Sequence, residues 1–468
     1  MQHYVTLLFD VEDLCWPGSD DIPLDLARIL RRNDTPGTFF VVGEKARLWQ
    51  QRGRKDVIDA LAPFDIGLHT NLHSIHPTVS EYLAPCGWHD GVDEAVRRDA
   101  PGFATIQEIW GRPASSWGQA GGTWGPQIHA ALIRAGIPCA VYPATHTARS
   151  HVNWYGGTLT FPEWTLAFFD SAMLDAAHFN ERLEAMWERI DRHIADGQTW
   201  TGIFGCHPTM LRATQFWDQL NFAAGRNTNP AHYRMPELHP EASYRLALQN
   251  FETLVQALRA DSRLTVTTIA DLRRVYRVPE GPVTPEALRS AAQDFTAAAG
   301  DIPTDNPQLS PAQAVYLMAR ALMQDEPQEQ IRREVYGPID EPPDVSSPCL
   351  EWDEFLVACR RLVEQVEATG HLPADAGSKD RPLPIGSFAR AVAESLLTPD
   401  RGESPDSVTV RDGRQVPRIA DAIVERVQGG FRGWPVHDPQ LDTTRLLLHT
   451  RLQCWTLRPA LPDGRASA

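Results

Sequence analysis

The chain has 468 residues, of which 42% are hydrophobic and 22% are charged, and its formal net charge is -16. This length exceeds the size at which a single hydrophobic core usually stops growing, so it predicts one large domain and at least one smaller domain. The composition predicts no membrane span, and the acidic balance predicts no nucleic-acid or anionic-lipid partner, because such partners need a basic surface.

The N-terminus and the cysteines bear on the cellular compartment. Residues 1–10 predict a strand and lack the charged segment, apolar core and cleavage site of a secretory signal. The seven cysteines are odd in number and have no CxxC spacing, which favours reduced thiols over a disulfide framework. We therefore expect a cytoplasmic protein, and the sequence leaves its oligomeric state open.

Short apolar runs alternate with helical patterns over residues 1–277. The predicted strands span residues 4–9, 37–42, 65–68, 138–142, 200–205 and 264–267. The predicted helices span residues 23–32, 55–62, 93–110, 127–135, 180–196, 241–259 and 268–276. Strands separated by helices predict βα units and a parallel sheet, so the fold class is α/β, and reactive groups are expected at the carboxyl ends of the strands.

A proline-rich segment over residues 278–285 separates this part from a helical, alanine-rich remainder, which predicts domains at 1–277 and 285–468. The turn at residues 299–303 and the helix after it recur at 369–373, which predicts two weak repeats, at about 288–325 and 355–398. The repeat resembles the pseudomurein-binding repeat, and that resemblance implies an accessory or binding module. Glycine and proline turns between the amphipathic helices of any small helical domain are the alternative explanation.

Two clusters of polar residues follow apolar runs in the first part of the chain. Asp10, Glu12 and Asp13 place three carboxylates within four residues, which is costly without a cation or a proton to share. His69 and His73 are four residues apart, so a helical turn would bring both imidazoles within reach of one ion. Two histidines and one carboxylate form a recurrent catalytic metal arrangement, whereas a solvated acidic loop is the alternative for the first cluster alone.

At these positions the sequence resembles the polysaccharide deacetylase family, also called NodB-homology proteins or family 4 carbohydrate esterases, and its allantoinase-like relatives. Residues 9–13 are similar to the family's first motif, and residues 67–73 are similar to its second motif, His-Thr/Ser-x-x-His. The resemblance implies a distorted (β/α)7-8 barrel of the NodB type, followed here by a smaller, mainly α-helical domain. It implies that Asp10 is the base and that His207 is the general acid. It implies His69, His73 and Glu12 as the three metal ligands, with Asp13 as the alternative to Glu12.

The third motif departs from the family pattern. Gly118 stands where the family has the arginine that orients the base, and Gly121 stands in place of a tyrosine whose backbone N–H helps to bind the oxyanion. A backbone donor survives that exchange, but a guanidinium does not. The fourth motif has only a loose counterpart at residues 152–155, with no assigned aspartate. The substrate contacts that the resemblance implies are Trp117, Gln119, Ala120, Gly121 and Trp154.

These residues predict a metal-dependent hydrolase that removes an acyl group from a carbohydrate or another small acylated substrate, by cleaving a non-peptide carbon–nitrogen bond or an ester. The divalent metal is expected to be zinc, with cobalt, manganese and nickel as alternatives. Residues 216–226 predict a loop that covers the pocket. One alternative is a non-catalytic glycan-binding protein that kept the barrel and lost the third-motif arginine. Another is a glycoside hydrolase with paired carboxylates such as Asp10 and Glu163.

Overall fold

The computed structural model describes residues 2–142, 151–162, 165–168, 170–197, 199–277, 281–323, 334–344, 349–398 and 406–462. The chain divides into two compact units. The first unit comprises residues 1–144, 160–275 and 429–443, and the second unit comprises residues 145–159, 276–428 and 444–468. Residues 429–443 thus return to the first unit from beyond the predicted boundary, and the predicted domains stay a prediction. Within the described ranges, no helix combines the length and the apolar character that crossing a bilayer requires.

The strands are β1 His3–Val11, β2 Thr38–Val41, β3 Asp65–Leu68, β4 Trp117–Gly118, β5 Cys139–Val141, β6 Asn153–Tyr155, β7 Thr158–Phe161, β8 Ala167–Phe168, β9 Trp200–Cys206, β10 Leu264–Thr267, β11 Cys349–Glu351, β12 Ser407–Thr409 and β13 Arg458–Pro459. The helices of the first unit are α1 Asp21–Arg32, α2 Gly43–Gln51, α3 Lys55–Leu61, α4 Val79–Leu83, α5 Trp88–Trp110, α6 Gln127–Arg134, α7 Ala176–Ala195, α8 Trp217–Asn221, α9 Glu241–Ala260 and α10 Ile269–Val275. Those that follow are α11 Pro285–Ala297, α12 Pro311–Leu322, α13 Trp352–Thr369, α14 Ile385–Leu397, α15 Ile419–Gly433 and α16 Thr444–Gln453.

A curled parallel sheet organises the first unit. Its strands run in the order β5-β4-β3-β2-β1-β9-β8, and β10 pairs with β1 as well. Strand β1 pairs with β9 along one side, while its other side pairs first with β10 and then with β2. The side chains of Val5, Leu7, Leu8 and Phe9 are fully buried, as expected for a parallel strand that is covered on both faces. The predicted α/β class is confirmed, and the curled sheet is compatible with the distorted barrel that the resemblance implies.

The parallel pairing brings the carboxyl ends of β1, β3, β4 and β9 to one edge of the sheet. The residues that follow these strands are therefore neighbours in space, although they are far apart in sequence. This edge carries the candidate site.

Residues 429–443 are held in the first unit by backbone hydrogen bonds and by apolar packing. Pro435 O accepts from the Ala224 N–H at 2.9 Å, and Val436 O accepts from the Gly225 N–H at 3.0 Å. The Val436 side chain is fully buried in a cluster with Trp217 and Phe222. The segment is therefore part of the core around the sheet edge.

The second unit is mainly helical. The turn at 299–303 lies between α11 and α12, and the turn at 369–373 lies between α13 and α14. Gly300 and Gly370 have φ values of +94° and +79°, a left-handed conformation that favours glycine. Two short antiparallel ladders, β6 with β13 and β11 with β12, complete the unit. Residues 324 and 325 of the first predicted repeat lie outside the described ranges, and the resemblance of the repeats stays a prediction.

Candidate functional site

The histidine segment after β3 forms a tight turn and not the helical turn that the spacing suggested. Thr70 and His73 have φ values of +59° and +52°, which non-glycine residues rarely adopt. Hydrogen bonds fix this backbone: the His73 N–H donates to Thr70 Oγ1 at 3.0 Å, and the Asn71 N–H donates to Asp99 Oδ1 at 2.9 Å. Strained residues of this kind persist where the surrounding structure over-determines them, often at functional sites.

The turn brings His69 and His73 to the carboxylate of Glu12. One ligand atom from each of these three residues lies within 4.8 Å of the other two, and all three side chains are buried. His73 Nε2 lies 2.8 Å from Glu12 Oε2, and His69 Nε2 lies 3.7 Å from the same oxygen. Two imidazole nitrogens and one carboxylate oxygen match the protein ligands of a catalytic zinc site that keeps a position open.

The protonation states of this group favour metal binding. Burial raises the pKa of Glu12, but the nearby His73 and His207 outweigh burial and hold the pKa well below its usual value. Burial lowers the pKa of His69 to about 4, so this imidazole is neutral near pH 7. Among the described residues, His69 Nδ1 and His73 Nε2 are buried and have no hydrogen-bond partner. The ionised Glu12 carboxylate and the neutral His69 imidazole are forms that bind a cation, so the residues fit a divalent metal.

Asp10 lies between the candidate ligands and His207. Its Oδ1 is 4.0 Å from His69 Nδ1, and its Oδ2 is 3.8 Å from His207 Nε2. His207 is oriented by Asp170, because Asp170 Oδ2 lies 2.9 Å from the His207 Nδ1 and Oδ1 accepts from the His207 N–H at 2.8 Å. Burial alone would lower the pKa of His207, but the charge of Asp170 and its hydrogen bond, together with Glu12 and Asp10, raise it to about 10. His207 is therefore a proton donor at neutral pH.

Asp13, the alternative ligand, does not join the group of Glu12, His69 and His73. Its Oδ1 accepts from the Cys15 N–H at 2.8 Å and from the Trp16 N–H at 3.0 Å. Its Oδ2 accepts from the Thr209 hydroxyl at 3.0 Å. These hydrogen bonds occupy both oxygens of the Asp13 carboxylate and stabilise the loop after β1. The structure therefore favours Glu12 as the third ligand.

A cavity of about 300 Å³ is lined by two of the candidate ligands, Glu12 and His73. Its walls come from the loop after β4, from the segment around α8 and from residues 429–443. The lining residues are Glu12, His73, Gly121, Gly122, His207, Phe216, Asp218, Gln219, Gly430, Gly433 and Trp434. The predicted covering segment at 216–226 thus contributes to the cavity, and part of it is helix α8.

Of the predicted substrate contacts in the third motif, Gly121 lines the cavity. The Trp117 indole is fully buried and donates to Asp99 Oδ2 at 2.9 Å, which places it in the core and not in the cavity. Gln119 Nε2 donates to Gly121 O at 2.6 Å, so Gln119 supports the turn at Gly121, and the Ala120 side chain is buried behind it. Gly121 has a φ value of +49°, and a Cβ there would lie 2.3 Å from Trp434 Cε2. Glycine therefore permits the turn and the close approach of the indole.

Trp154 belongs to the second unit, where the guanidinium of Arg458 lies over its ring at 5.2 Å. That contact gives the ring a packing role, and the predicted substrate contact stays a prediction. Glu163, the second carboxylate of the glycoside hydrolase alternative, lies outside the described residues.

Three residues of the site escaped the sequence analysis: Asp170, Asp218 and Trp434. Asp170 follows β8, a strand of two residues that is too short to produce a periodic signal. Asp218 lies in α8 and accepts hydrogen bonds from Ser74, Gln219 and Trp434. Trp434 lies in residues 429–443, and the other segments that line the cavity are more than 200 positions earlier in the chain. No local pattern marks Trp434 as part of this site.

No protein-family model matches the chain, and no curated protein matches it either. Solved structures of polysaccharide deacetylases and family 4 carbohydrate esterases are similar to part of the chain. A protein provisionally described as a polysaccharide deacetylase, from Mycobacterium smegmatis, is 16% identical over 58% of this chain and 88% of its own, with a TM-score of 0.38. A family 4 pseudoenzyme from Bacillus anthracis is 14% identical over 58% of this chain and 65% of its own, with a TM-score of 0.32.

A 4-alpha-glucanotransferase from Thermococcus litoralis is 11% identical over 92% of this chain and 60% of its own, with a TM-score of 0.40. Because these TM-scores lie below 0.5, the functional conclusion depends on the residues of the site and not on the similarity.

Proposed function

We propose that the first unit is a metal-dependent hydrolase that removes an acyl group from a carbohydrate or a related small substrate, with the non-peptide amide bond as the expected point of cleavage. The observation that carries the proposal is the buried group of Glu12, His69 and His73, whose ligand atoms lie within 4.8 Å of one another. Glu12 and His73 line the cavity that His207 also lines. Zinc is the expected ion, with cobalt, manganese and nickel as alternatives, because the donors are two imidazoles and one carboxylate.

A divalent cation held by these three residues would supply Lewis-acid polarisation of the acyl oxygen and make a nearby water more acidic. Asp10 is placed to accept the proton of the attacking water, since its carboxylate lies beside both His69 and His207. His207 is placed to donate a proton to the leaving nitrogen from Nε2, because Asp170 occupies its Nδ1 side and raises its pKa. The backbone N–H at Gly121 is the candidate donor to the developing oxyanion.

The missing third-motif arginine leaves the orientation of Asp10 to other groups. Protonated His207 provides a positive charge 3.8 Å from Asp10 Oδ2, and His69 Nδ1 lies 4.0 Å from Oδ1. These neighbours support a working base without a guanidinium. If His207 and His69 did not orient Asp10 well enough for it to act as a base, the chain would bind the metal and the glycan without turnover, as in the glycan-binding alternative.

The test is metal-dependent release of acetate from N-acetylated and O-acetylated sugars. The chain is stripped with a chelator and then titrated with Zn²⁺, Co²⁺, Mn²⁺ or Ni²⁺, and metal content and acetate release are measured on the same samples. His69→Ala with His73→Ala should abolish metal retention, whereas His232→Ala, which changes an exposed histidine, should retain it.

Each outcome of this test separates the candidate functions. Stoichiometric metal in the double variant would refute the ligand assignment. Metal binding without acetate release would favour the glycan-binding protein. Glycoside cleavage that survives the chelator would favour the glycoside hydrolase.

A further inference from the structure

A chain of hydrogen bonds leads from the candidate metal ligand His73 to Trp434. His73 Nδ1 lies 2.6 Å from Ser74 Oγ, and Ser74 Oγ lies 3.0 Å from Asp218 Oδ2. Trp434 Nε1 lies 3.2 Å from the same carboxylate oxygen. All four side chains belong to the first unit, although Trp434 is 361 positions after His73.

The indole donor at one end of this chain and an ionised Asp218 carboxylate together set the direction of its hydrogen bonds. An indole N–H can only donate, so Trp434 donates to Asp218 Oδ2. The Gln219 N–H donates to Asp218 Oδ1 at 2.7 Å, so both carboxylate oxygens act as acceptors. Ser74 then donates its hydroxyl proton to Asp218, and its oxygen is left to accept from His73.

The direction of the chain determines the tautomer of His73. If Ser74 Oγ accepts from His73, the proton of the neutral imidazole sits on Nδ1, and Nε2 carries the lone pair. That nitrogen lies 2.8 Å from Glu12 Oε2, a separation that a shared proton satisfies in the metal-free chain and at which a bound cation would replace that proton. The reversed chain would put the proton on Nε2 and block the ligand atom. Groups that fix the tautomer of a metal-binding histidine typically change metal affinity by about 10- to 100-fold when they are removed.

We propose that Trp434 is a positioning residue of the metal site, which acts through Asp218 and Ser74 to keep His73 Nε2 available as a ligand. This inference depends on the metal site of the proposed function and adds a contribution from residues 429–443. The Trp434 indole also lies against Gly121, where a Cβ would be 2.3 Å from its Cε2, so the glycine leaves room for the ring that makes this bond.

The chain offers a matched control for this inference. Trp434 and Trp217 both pack near the His73 ring, with ring centroids 6.0 Å and 5.3 Å away. Among the described residues, Trp217 Nε1 is buried and has no hydrogen-bond partner. Trp434→Phe therefore removes an indole N–H that donates to Asp218. Trp217→Phe removes an indole N–H that has no acceptor among the described residues.

The experiment measures the Kd of Zn²⁺ for the stripped full-length chain by competition with a chromophoric chelator. Trp434→Phe should weaken Zn²⁺ binding by about 10-fold, and Trp217→Phe should leave it within about 2-fold of the unchanged chain. Ser74→Ala should weaken binding as well, and adding Trp434→Phe to it should cause no further loss, because the effect of Trp434 passes through Ser74. Thermal unfolding of the metal-free variants identifies a general loss of stability.

The outcomes distinguish this inference from the proposed function. If the unchanged chain binds none of the four metals, the proposed function fails and the inference fails with it. If the unchanged chain binds Zn²⁺ and Trp434→Phe binds it equally well, only the inference is overturned. Equal losses in Trp434→Phe and Trp217→Phe, or additive losses in the double variant, would also overturn it. If Trp434→Phe does not fold, an unchanged Kd of Zn²⁺ for Ser74→Ala would overturn the inference.

Discussion

Replacing Asp170 by asparagine tests how the structure prepares His207 as a proton donor. The substitution keeps the size of the side chain and removes its charge, which acts on His207 Nδ1 across 2.9 Å. Burial lowers the pKa of His207, and Asp170 is the largest of the groups that raise it to about 10. Without that charge we expect the pKa to fall towards its ordinary value of 6.5.

The size of the effect on rate follows from the protonated fraction of His207. With a pKa of about 10, nearly all of the imidazole is protonated at pH 8. With an ordinary pKa, about 3% would be protonated at pH 8 but about 75% at pH 6. Asp170→Asn should therefore lower kcat/KM by about 30-fold at pH 8 and by less than about 2-fold at pH 6. A bound cation would act on His207 in both proteins alike, so the expected direction of the difference is the same with and without it.

The assay is acetate release by the zinc-loaded chain between pH 6 and pH 9. A loss of kcat/KM that is equal at pH 6 and pH 8 would refute the reasoning, because it would mean that Asp170 positions His207 without controlling its proton. Stability gives a second readout. Because the folded pKa of His207 lies above the unfolded value, its contribution is fully present below pH 6.5 and is lost as the pH rises towards 10. The metal-free Asp170→Asn variant should lose this dependence in urea unfolding.

Three further substitutions test interactions that stabilise the first unit. Hydrogen bonds and the charge of His76 outweigh burial and hold the Glu81 pKa at about 2. Glu81→Gln should therefore lower the free energy of unfolding at pH 7 by about 1–2 kcal/mol, and this difference should shrink as the pH falls from 4.5 towards 2. Trp117→Phe should cost about 1–3 kcal/mol, since the buried Asp99 loses a donor, and should leave KM unchanged; a raised KM would favour the predicted substrate contact. Val436→Ala should cost about 1–2 kcal/mol in urea unfolding, and an unaltered free energy would mean that residues 429–443 do not stabilise the first unit.

The α/β class and the neighbourhood of the candidate ligands could be predicted because both depend on local patterns. Apolar runs mark the strands, and the ends of parallel strands meet at one edge, so residues such as Glu12 and His69 come together wherever the sheet forms. The conformation of the turn at 69–73 was not predictable in the same way. The turn depends on the hydrogen bond that the Asn71 N–H donates to Asp99, which lies in a helix that begins 15 residues after His73.

Asp170 and Trp434 could not be predicted, because nothing local distinguishes them from other polar and aromatic residues. Asp170 acquires its role from the pairing of β8 with β9, which places it beside His207. Trp434 acquires its role from the return of residues 429–443 to the first unit, a contact at very long sequence separation. A prediction that divides the chain at residue 277 necessarily assigns that segment elsewhere.

Gly118 lies in β4 against the ring of the candidate ligand His69. A Cβ at this position would lie 2.8 Å from Phe40 Cδ2 and 3.1 Å from His69 Nδ1, so even alanine would press on the ring of a candidate ligand. The glycine is therefore required by the close packing of Phe40, whose ring stacks on His69 with centroids 6.2 Å apart. Gly118 and the position of His69 belong to one arrangement, in which the positive charge near Asp10 comes from His207, whose proton Asp170 stabilises, and not from a side chain of β4.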